Sequence, residues 1–287
     1  MTPAEELAII RRAYALQIMA SVRSVDERLT AAFAAVPRED FLGPGPWKIM
    51  RGGAYVDSPS ADPVYLYTDT VVGIDPERHI NNGQPSLHAN LLAHAAGRAG
   101  EHFVHVGTGT GYYTALMSHI AGPSGSVTGI EFEPDLAARA TANLAGRTNA
   151  AILQGDGATL PFAPADVIYV NAGATRPADI WLDRLKDGGR LVLPLTTDKG
   201  FGGVSPENFV RQGAVFLITR QGAEFLARWI SAVAIYPCQG MRNEASERAL
   251  AAAFLKGGWN RVTRLVRNDA APEEQCWLKA PGWCLTY

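Results

Sequence analysis

Between residues 103 and 194, short apolar segments alternate with segments of helical periodicity. This spacing predicts strands at 103–106, 127–131, 151–154, 167–170 and 190–194, and helices from 112 to 121, at 134–144 and at 178–185. Successive parallel strands need long crossover connections, and the helices that provide them cover both faces of the sheet. The sequence therefore predicts an α/β fold with a parallel sheet between two layers of helices.

The segments on either side of this region have different patterns. Before it we expect a helix at 4–22 and a second helix that starts at a capping box of Ser24 and Glu27 and runs to residue 35. A third helix is expected from Pro85 to about Ala96, with Gly97 as its stop. A strand is expected at 65–72. After it we expect strands at 214–219, 224–234, 261–267 and 276–287, and a helix at 244–256. Three parts follow: an N-terminal helical and substrate-side segment (1–84), the core (85–240) and a C-terminal α+β extension (241–287).

A glycine-rich loop, Gly107-Thr108-Gly109-Thr110-Gly111, joins the first core strand to its helix. Ligands bind at this end of open α/β sheets, where glycines let the backbone approach and the helix N-terminus offers free N–H groups. Position 112 is tyrosine, so the spacing differs from the dinucleotide fingerprint, and no Gly-Lys-Ser/Thr follows to make a phosphate-binding P-loop. The loop therefore predicts a nucleotide-like ligand outside both of those classes.

Polar residues follow the next three core strands. Glu131 ends the second strand, Asp156-Gly157 follows the third, and Asn171 follows the fourth. Because the carboxyl ends of parallel strands share one edge, we expect these residues and the glycine loop to line one crevice. A carboxylate at Glu131 can accept hydrogen bonds from both hydroxyls of a ribose.

Composition excludes several functional classes. Apolar residues make up 47% and charged residues 19%, which is typical of a globular protein. A net charge of −2 gives no electrostatic case for a nucleic-acid partner. Three cysteines without a Cys-x-x-Cys pair predict no metal site, and no stretch approaches the roughly 20 apolar residues of a membrane span. We therefore expect a cytoplasmic protein, and a homodimer stays open.

The chain resembles the protein-L-isoaspartate O-methyltransferase family. Matching motifs span roughly residues 30–195 in the family's order: Val36-Pro37-Arg38-Glu39-Asp40-Phe41, Ala54-Tyr55-Val56-Asp57, Gln84-Pro85, the loop at 104–113, Gly155-Asp156-Gly157, and residues 185–194 with Gly188-Gly189-Arg190-Leu191-Val192. The first of these motifs is the most specific, because generic methyltransferases lack it.

This resemblance implies a Rossmann-like S-adenosylmethionine-dependent methyltransferase sheet. It also implies that Gly107, Thr108, Gly109, Thr110 and Gly111 lie against the methionine part of the cofactor. By the same resemblance, Glu131 holds the ribose and Asp156-Gly157 lies beside the adenine. We include Asn171 among the expected cofactor-binding residues because of its place in the crevice.

The acceptor side departs from the family pattern. The family has a serine directly before Gln-Pro or Ala-Pro, and this chain has Gly83 there. The stretch that precedes it is longer and rewritten. Candidate residues for acceptor chemistry are Asp69, Asn82, Gly83 and His88, with a neutral histidine near a helix N-terminus suited to a hydrogen-bond or base role.

Three functions are compatible with these residues. The first is an O-methyltransferase acting on a carboxylate in a peptide or small molecule, which needs no general base because a carboxylate is already a nucleophile. The second is a methyltransferase of changed specificity toward a hydroxyl, nitrogen or thiol, with His88 or Asp69 as base. The third is a non-catalytic homologue that binds the cofactor.

Overall fold

The computed structural model describes residues 2–197, 213–238 and 240–287. Its internal contacts divide the chain into two compact units. The first unit comprises the residues up to Glu101 together with Thr108–Gln154, and the second comprises His102–Gly107 together with Gly155–Tyr287. Among the described residues, no helix combines the length and apolar character that crossing a bilayer requires.

The first unit contains five helices and two sets of strands. Its helices are α1 (Pro3–Ser21), α2 (Glu27–Ala35), α3 (Pro85–Ala95), α4 (Tyr112–Ala121) and α5 (Pro134–Asn143). Its antiparallel sheet has the order β2-β1-β3-β4, from β1 (Lys48–Arg51), β2 (Ala54–Asp57), β3 (Val72–Asp75) and β4 (Ile80–Asn81). A parallel pair is formed by β6 (Ser126–Glu131) and β7 (Ala150–Gln154), with Glu131 opposite Gln154.

The second unit is built on one long sheet. Its parallel part pairs β5 (His102–Val106) with β8 (Ala165–Val170), and β8 with β9 (Leu185–Thr196). An antiparallel part follows, in the order β9, β10 (Gly213–Gln221), β11 (Glu224–Ala232), β12 (Arg264–Val266), β14 (Trp283–Thr286) and β13 (Cys276–Ala280). The described residues of this unit include the helices α6 (Asp179–Asp183) and α7 (Glu244–Lys256).

The five predicted core strands and their helices are confirmed, and the fold class is α/β. The parallel strands β5, β6 and β8 are mostly buried along their length, as is typical of parallel strands with both faces covered. Val104, Val167 and Ile168 are fully buried in the second unit. In the first unit, Val127 and Ile130 are likewise buried.

Helix starts and stops differ in part from the sequence predictions. The predicted capping box at Ser24 is wrong: Asp26 is the N-cap of α2, and its carboxylate accepts hydrogen bonds from the N–H groups of Arg28 and Leu29. An ionised carboxylate is the stronger acceptor at a helix N-terminus. The predicted helix from Pro85 to about Ala96 is confirmed as α3, but Ala96 rather than Gly97 adopts the left-handed conformation at its end, with φ of 49°.

The predicted strand at 65–72 is wrong as well. A short 3₁₀ turn covers Pro63–Leu66, and the strand begins only at Val72. The fully buried guanidinium of Arg38 donates to the carbonyls of Leu66, Thr68 and Thr70 at 2.7, 3.3 and 2.8 Å. Carbonyls bound to a side chain do not take part in a strand ladder, so this stretch is irregular.

The C-terminal extension also differs from its prediction. The expected single strand at 276–287 is a hairpin of two strands, β13 and β14, reversed at Gly282 with φ of 81°. A left-handed turn residue favours glycine because no Cβ clashes with the backbone. The expected strand at 261–267 is shortened to β12 by the 3₁₀ turn Trp259–Arg261.

Candidate active site

In the first unit the glycine loop is held in left-handed conformations. Gly109 and Gly111 have φ of 56° and 97°. The N–H of Gly111 donates to the carbonyl of Thr108 at 3.0 Å, and Gly111 is the N-cap of α4. A Cβ atom on Gly109 would meet no atom within 4 Å, so its backbone borders open space. The loop therefore presents bare backbone at a helix N-terminus, as a ligand-binding loop requires.

Glu131 is bound to this loop. Its side chain is 6% exposed; one carboxylate oxygen accepts the N–H of Gly109 at 2.7 Å and the other accepts the N–H of Glu133 at 3.1 Å. Burial raises the pKa of Glu131, and the two backbone N–H groups oppose that shift. Each carboxylate oxygen has a second lone-pair direction, so both can still accept a hydroxyl. This geometry suits the recognition of a diol.

In the second unit Gly107 and Asn171 lie side by side. The Asn171 amide Nδ2 donates to the carbonyl of Gly107 at 3.2 Å, and its backbone N–H donates to Val106 at 2.8 Å. A Cβ atom on Gly107, whose φ is 80°, would lie 3.3 Å from the carbonyl oxygen of Asn171. Asn171 therefore fixes the backbone from which the glycine loop leaves β5.

The Asp156-Gly157 turn belongs to the second unit too. One Asp156 oxygen accepts the N–H of Ala158 at 2.9 Å, and the Gly157 carbonyl accepts the buried indole N–H of Trp181 at 2.7 Å. A Cβ atom on Gly157 would come within 2.5 Å of Val106, so only glycine fits against β5. Gly240 lies close to the Asp156 carboxylate: a Cβ atom on Gly240 would be 2.5 Å from Oδ2 of Asp156.

On the acceptor side, the structure brings Gly83 and His88 together. Gly83 has φ of 66°, and a Cβ atom there would overlap the Nε2 atom of His88. The His88 ring is 2% exposed and stacks on Tyr113 with ring centroids 3.6 Å apart. The N–H of Gly83 donates to the side-chain oxygen of Asn81 at 2.7 Å. Substitution at 83 is therefore blocked both by the backbone conformation and by the imidazole.

Asp69 has a structural task at the same turn. Its two carboxylate oxygens accept the side-chain N–H of Gln84 at 2.9 Å and the backbone N–H of Ser86 at 2.8 Å. Ser86 lies in the first turn of α3, so Asp69 satisfies a free N–H of that helix and complements its dipole. These hydrogen bonds explain the position of Asp69 without a catalytic role. A catalytic role for Asp69 stays a prediction.

Asn82 is the fourth acceptor-side candidate. Its backbone N–H donates to the carbonyl of Val72 at 2.8 Å, which anchors the turn to β3. Its side chain is 7% exposed, and within the described part of the chain its Nδ2 atom has no hydrogen-bond partner. A buried amide donor without a partner is uncommon in folded proteins.

Sequence reasoning missed three residues that shape these sites. Trp181 and Gly240 touch the Asp156-Gly157 turn, and Arg38 fixes the segment that ends next to Asp69. Arg38 lies in the family-like motif at residues 36–41, and that motif is the sequence signal that could have identified it. The sequence contains no comparable signal for Trp181 and Gly240, because their contacts join positions far apart in the chain.

No group of metal-ligating side chains is assembled among residues 2–197, 213–238 and 240–287. The residues present do fit a nucleoside-type ligand: a buried carboxylate with spare lone pairs at Glu131 and an uncovered backbone face at Gly109. Both are features that a purely structural turn does not need.

The chain is similar to a known protein family and to several of its members. The family model for protein-L-isoaspartate(D-aspartate) O-methyltransferase matches residues 15–202. A protein-L-isoaspartate O-methyltransferase of Thermotoga maritima is 30% identical over 177 residues, covering 60% of this chain and 51% of that protein. A second, from Archaeoglobus fulgidus, is 33% identical over 207 residues, covering 69% of this chain and 88% of its own length. The chain thus spans about half the length of the Thermotoga relative.

A solved structure agrees with the fold. The beta-aspartate methyltransferase structure from Plasmodium falciparum, in complex with S-adenosyl-L-homocysteine, superposes with a TM-score of 0.61. It covers 80% of this chain and 98% of that chain at 18% identity. At that identity the likeness concerns the fold, which agrees with the α/β fold predicted from the strand pattern.

Proposed function

The chain belongs to the protein-L-isoaspartate(D-aspartate) O-methyltransferase family, and on that premise we propose that it is an S-adenosylmethionine-dependent O-methyltransferase acting on a carboxylate. The observation that carries the proposal is the Glu131 carboxylate, buried and hydrogen-bonded to Gly109 in the glycine loop. The acceptor is a carboxylate in a peptide or small molecule, and an isoaspartyl peptide is the first to test.

The residues of the first unit that would hold the cofactor are Thr108, Gly109, Thr110, Gly111 and Glu131. Cofactor-binding roles for Gly107, Asp156, Gly157 and Asn171 stay predictions from the sequence. When bound, S-adenosylmethionine supplies an electrophilic methyl group on its sulfonium. The backbone of the glycine loop orients the methionine part, and Glu131 accepts hydrogen bonds from the ribose hydroxyls.

The chemistry asked of the protein is modest. A carboxylate oxygen forms a bond to the methyl carbon while the carbon–sulfur bond breaks and its electron pair stays on sulfur, so the products are a methyl ester and S-adenosylhomocysteine. No proton is transferred, and no general base is needed. The protein's contribution is to hold two reactants in line, which can supply about 7–11 kcal/mol of the barrier reduction.

A changed specificity that uses His88 as base is less favoured. The imidazole packs against Gly83 on one edge and against Tyr113 on one face, and burial of this kind restricts its access to an acceptor. Asp69 is engaged through both oxygens in the N-terminal turn of α3. A cytoplasmic location and a homodimer stay predictions from the sequence.

The direct test is incubation of the protein with methyl-labelled S-adenosylmethionine and an isoaspartyl peptide. We expect label in a product that releases methanol in mild base, because methyl esters hydrolyse there. A base-stable product would reject the carboxylate acceptor. Binding of the cofactor without turnover on a panel of carboxylates, hydroxyls, amines and thiols would instead support a non-catalytic homologue.

A further inference from the structure

The side chain of Asn82 has an unused donor in the interior of the first unit. It is 7% exposed, and no hydrogen-bond acceptor among the described residues meets its Nδ2 atom. An unpaired buried amide costs about 1–3 kcal/mol, so it calls for an explanation, and a bound ligand that supplies the acceptor is one. The cost is avoidable, since an apolar residue of similar size would remove it.

The surrounding turn is already satisfied without that donor. The backbone of Asn82 pairs with Val72, the N–H of Gly83 is taken by the side chain of Asn81, and both oxygens of Asp69 are occupied by Gln84 and Ser86. Gly83 cannot carry a side chain that would supply a partner, because the His88 imidazole occupies that space. None of these groups is hydrogen-bonded to the Asn82 Nδ2 atom among the described residues, and a ligand that brings a carboxylate would supply the missing acceptor.

We propose that Asn82 recognises the methyl acceptor, its Nδ2 donating a hydrogen bond to the carboxylate oxygen that is not methylated. This inference rests on the proposed function and names the substrate-recognising residue of that same site. A neutral amide suits the task, because it holds the carboxylate without transferring a proton to it. The other oxygen keeps its negative charge and its nucleophilicity.

The arrangement makes stability and activity respond in opposite directions. Asn82→Ala removes the unpaired donor, so the melting temperature stays equal or rises. The same variant loses a contact made in both the ground state and the transition state, which raises KM for an isoaspartyl peptide about tenfold or more with little change in kcat. The dissociation constant for S-adenosylmethionine stays within twofold.

Asn81→Ala is the matched control. The Asn81 side chain accepts the N–H of Gly83 at 2.7 Å, so its loss lowers the melting temperature. A merely structural Asn82 would behave in the same way. A lowered melting temperature for Asn82→Ala together with an unchanged KM would overturn the proposal.

A binding measurement separates this inference from the proposed function. In protein loaded with S-adenosylhomocysteine and labelled with nitrogen-15, an isoaspartyl peptide should shift the side-chain amide signal of Asn82, identified by its absence in Asn82→Ala. No shift at saturating peptide overturns the inference even when wild-type protein forms methyl esters. A shift without ester formation supports Asn82 as the recognition group while rejecting the proposed function.

Discussion

Gly83 packs so closely on His88 that a Cβ atom at residue 83 would overlap the imidazole Nε2 of His88. The Gly83 backbone is also left-handed, with φ of 66°. Two separate costs therefore oppose any substitution at this position, one from backbone strain and one from overlap.

Gly83→Ser should lower the free energy of unfolding by about 2–4 kcal/mol, measured by urea denaturation. Gly52→Ser is the control: Gly52 has φ of 58° and no atom within 4 Å of a Cβ position, so it reports backbone strain alone, about 1 kcal/mol. Adding His88→Ala to Gly83→Ser should recover at least about 1 kcal/mol. Equal losses for the serine variants at 83 and 52 would show that His88 is not in the way.

Glu131→Gln should weaken binding of S-adenosylmethionine by about 10- to 100-fold, since hydrogen bonds to a charged acceptor contribute about 1.5–3 kcal/mol. Calorimetric titration measures the loss. Glu133→Gln is the control, because the Glu133 side chain pairs with Arg78 at a half-exposed position. The affinity of this variant for S-adenosylmethionine should stay within twofold of wild type. Comparable weakening by both variants would argue against Glu131 as a ribose acceptor.

Protonation of Glu131 should have the same direction of effect as its substitution. Burial raises the pKa of this carboxyl above its ordinary value, so the ionised form is lost at a higher pH than in an exposed glutamate. Cofactor affinity should therefore fall as pH is lowered through that raised pKa. The Glu131→Gln variant should not show this step, and a step of equal size in both proteins would assign it to another group.

Arg38→Ala should lower the free energy of unfolding by about 3 kcal/mol or more, because the buried carbonyl of Leu66 and the part-buried carbonyls of Thr68 and Thr70 lose a charged donor. Arg38→Lys should retain part of that stability. The exposed Arg28, which pairs with Asp26 at 3.4 Å, is the comparison, and Arg28→Ala should change stability by less than about 0.5 kcal/mol. A small effect at Arg38 would mean that water replaces the guanidinium at this segment.

His105 should make the second unit sensitive to acid. It is fully buried in β5, and burial lowers its pKa to about 3, whereas the unfolded chain titrates near the ordinary value of about 6.5. The unfolded state thus binds the proton more tightly, so stability is complete above pH 6.5 and falls as pH drops toward 3. The full loss is about 4–5 kcal/mol at 1.36 kcal/mol for each unit of pKa. His105→Phe should flatten this part of the stability–pH curve measured by denaturant titration.

The sequence by itself determined the core of the fold. The strands at 103–106, 127–131, 151–154, 167–170 and 190–194 all appear, because buried parallel strands need continuous apolar runs and glycines mark the turns between elements. The cofactor-binding roles that the sequence assigns stay predictions. Glu131 and Gly109 are contacting residues in the first unit, as are Gly107 and Asn171 in the second.

Tertiary structure alone decided the acceptor side. The stretch at 65–72 reads as a strand, yet the Arg38 guanidinium binds its carbonyls from 28 to 32 residues away. His88 and Asp69 look like catalytic groups in sequence, whereas packing against Gly83 and capping of α3 explain their positions. That the Nδ2 atom of Asn82 has no hydrogen-bond partner among the described residues is likewise a result of how the turn folds. Such contacts join residues at distances set by packing, which local periodicity and propensity do not encode.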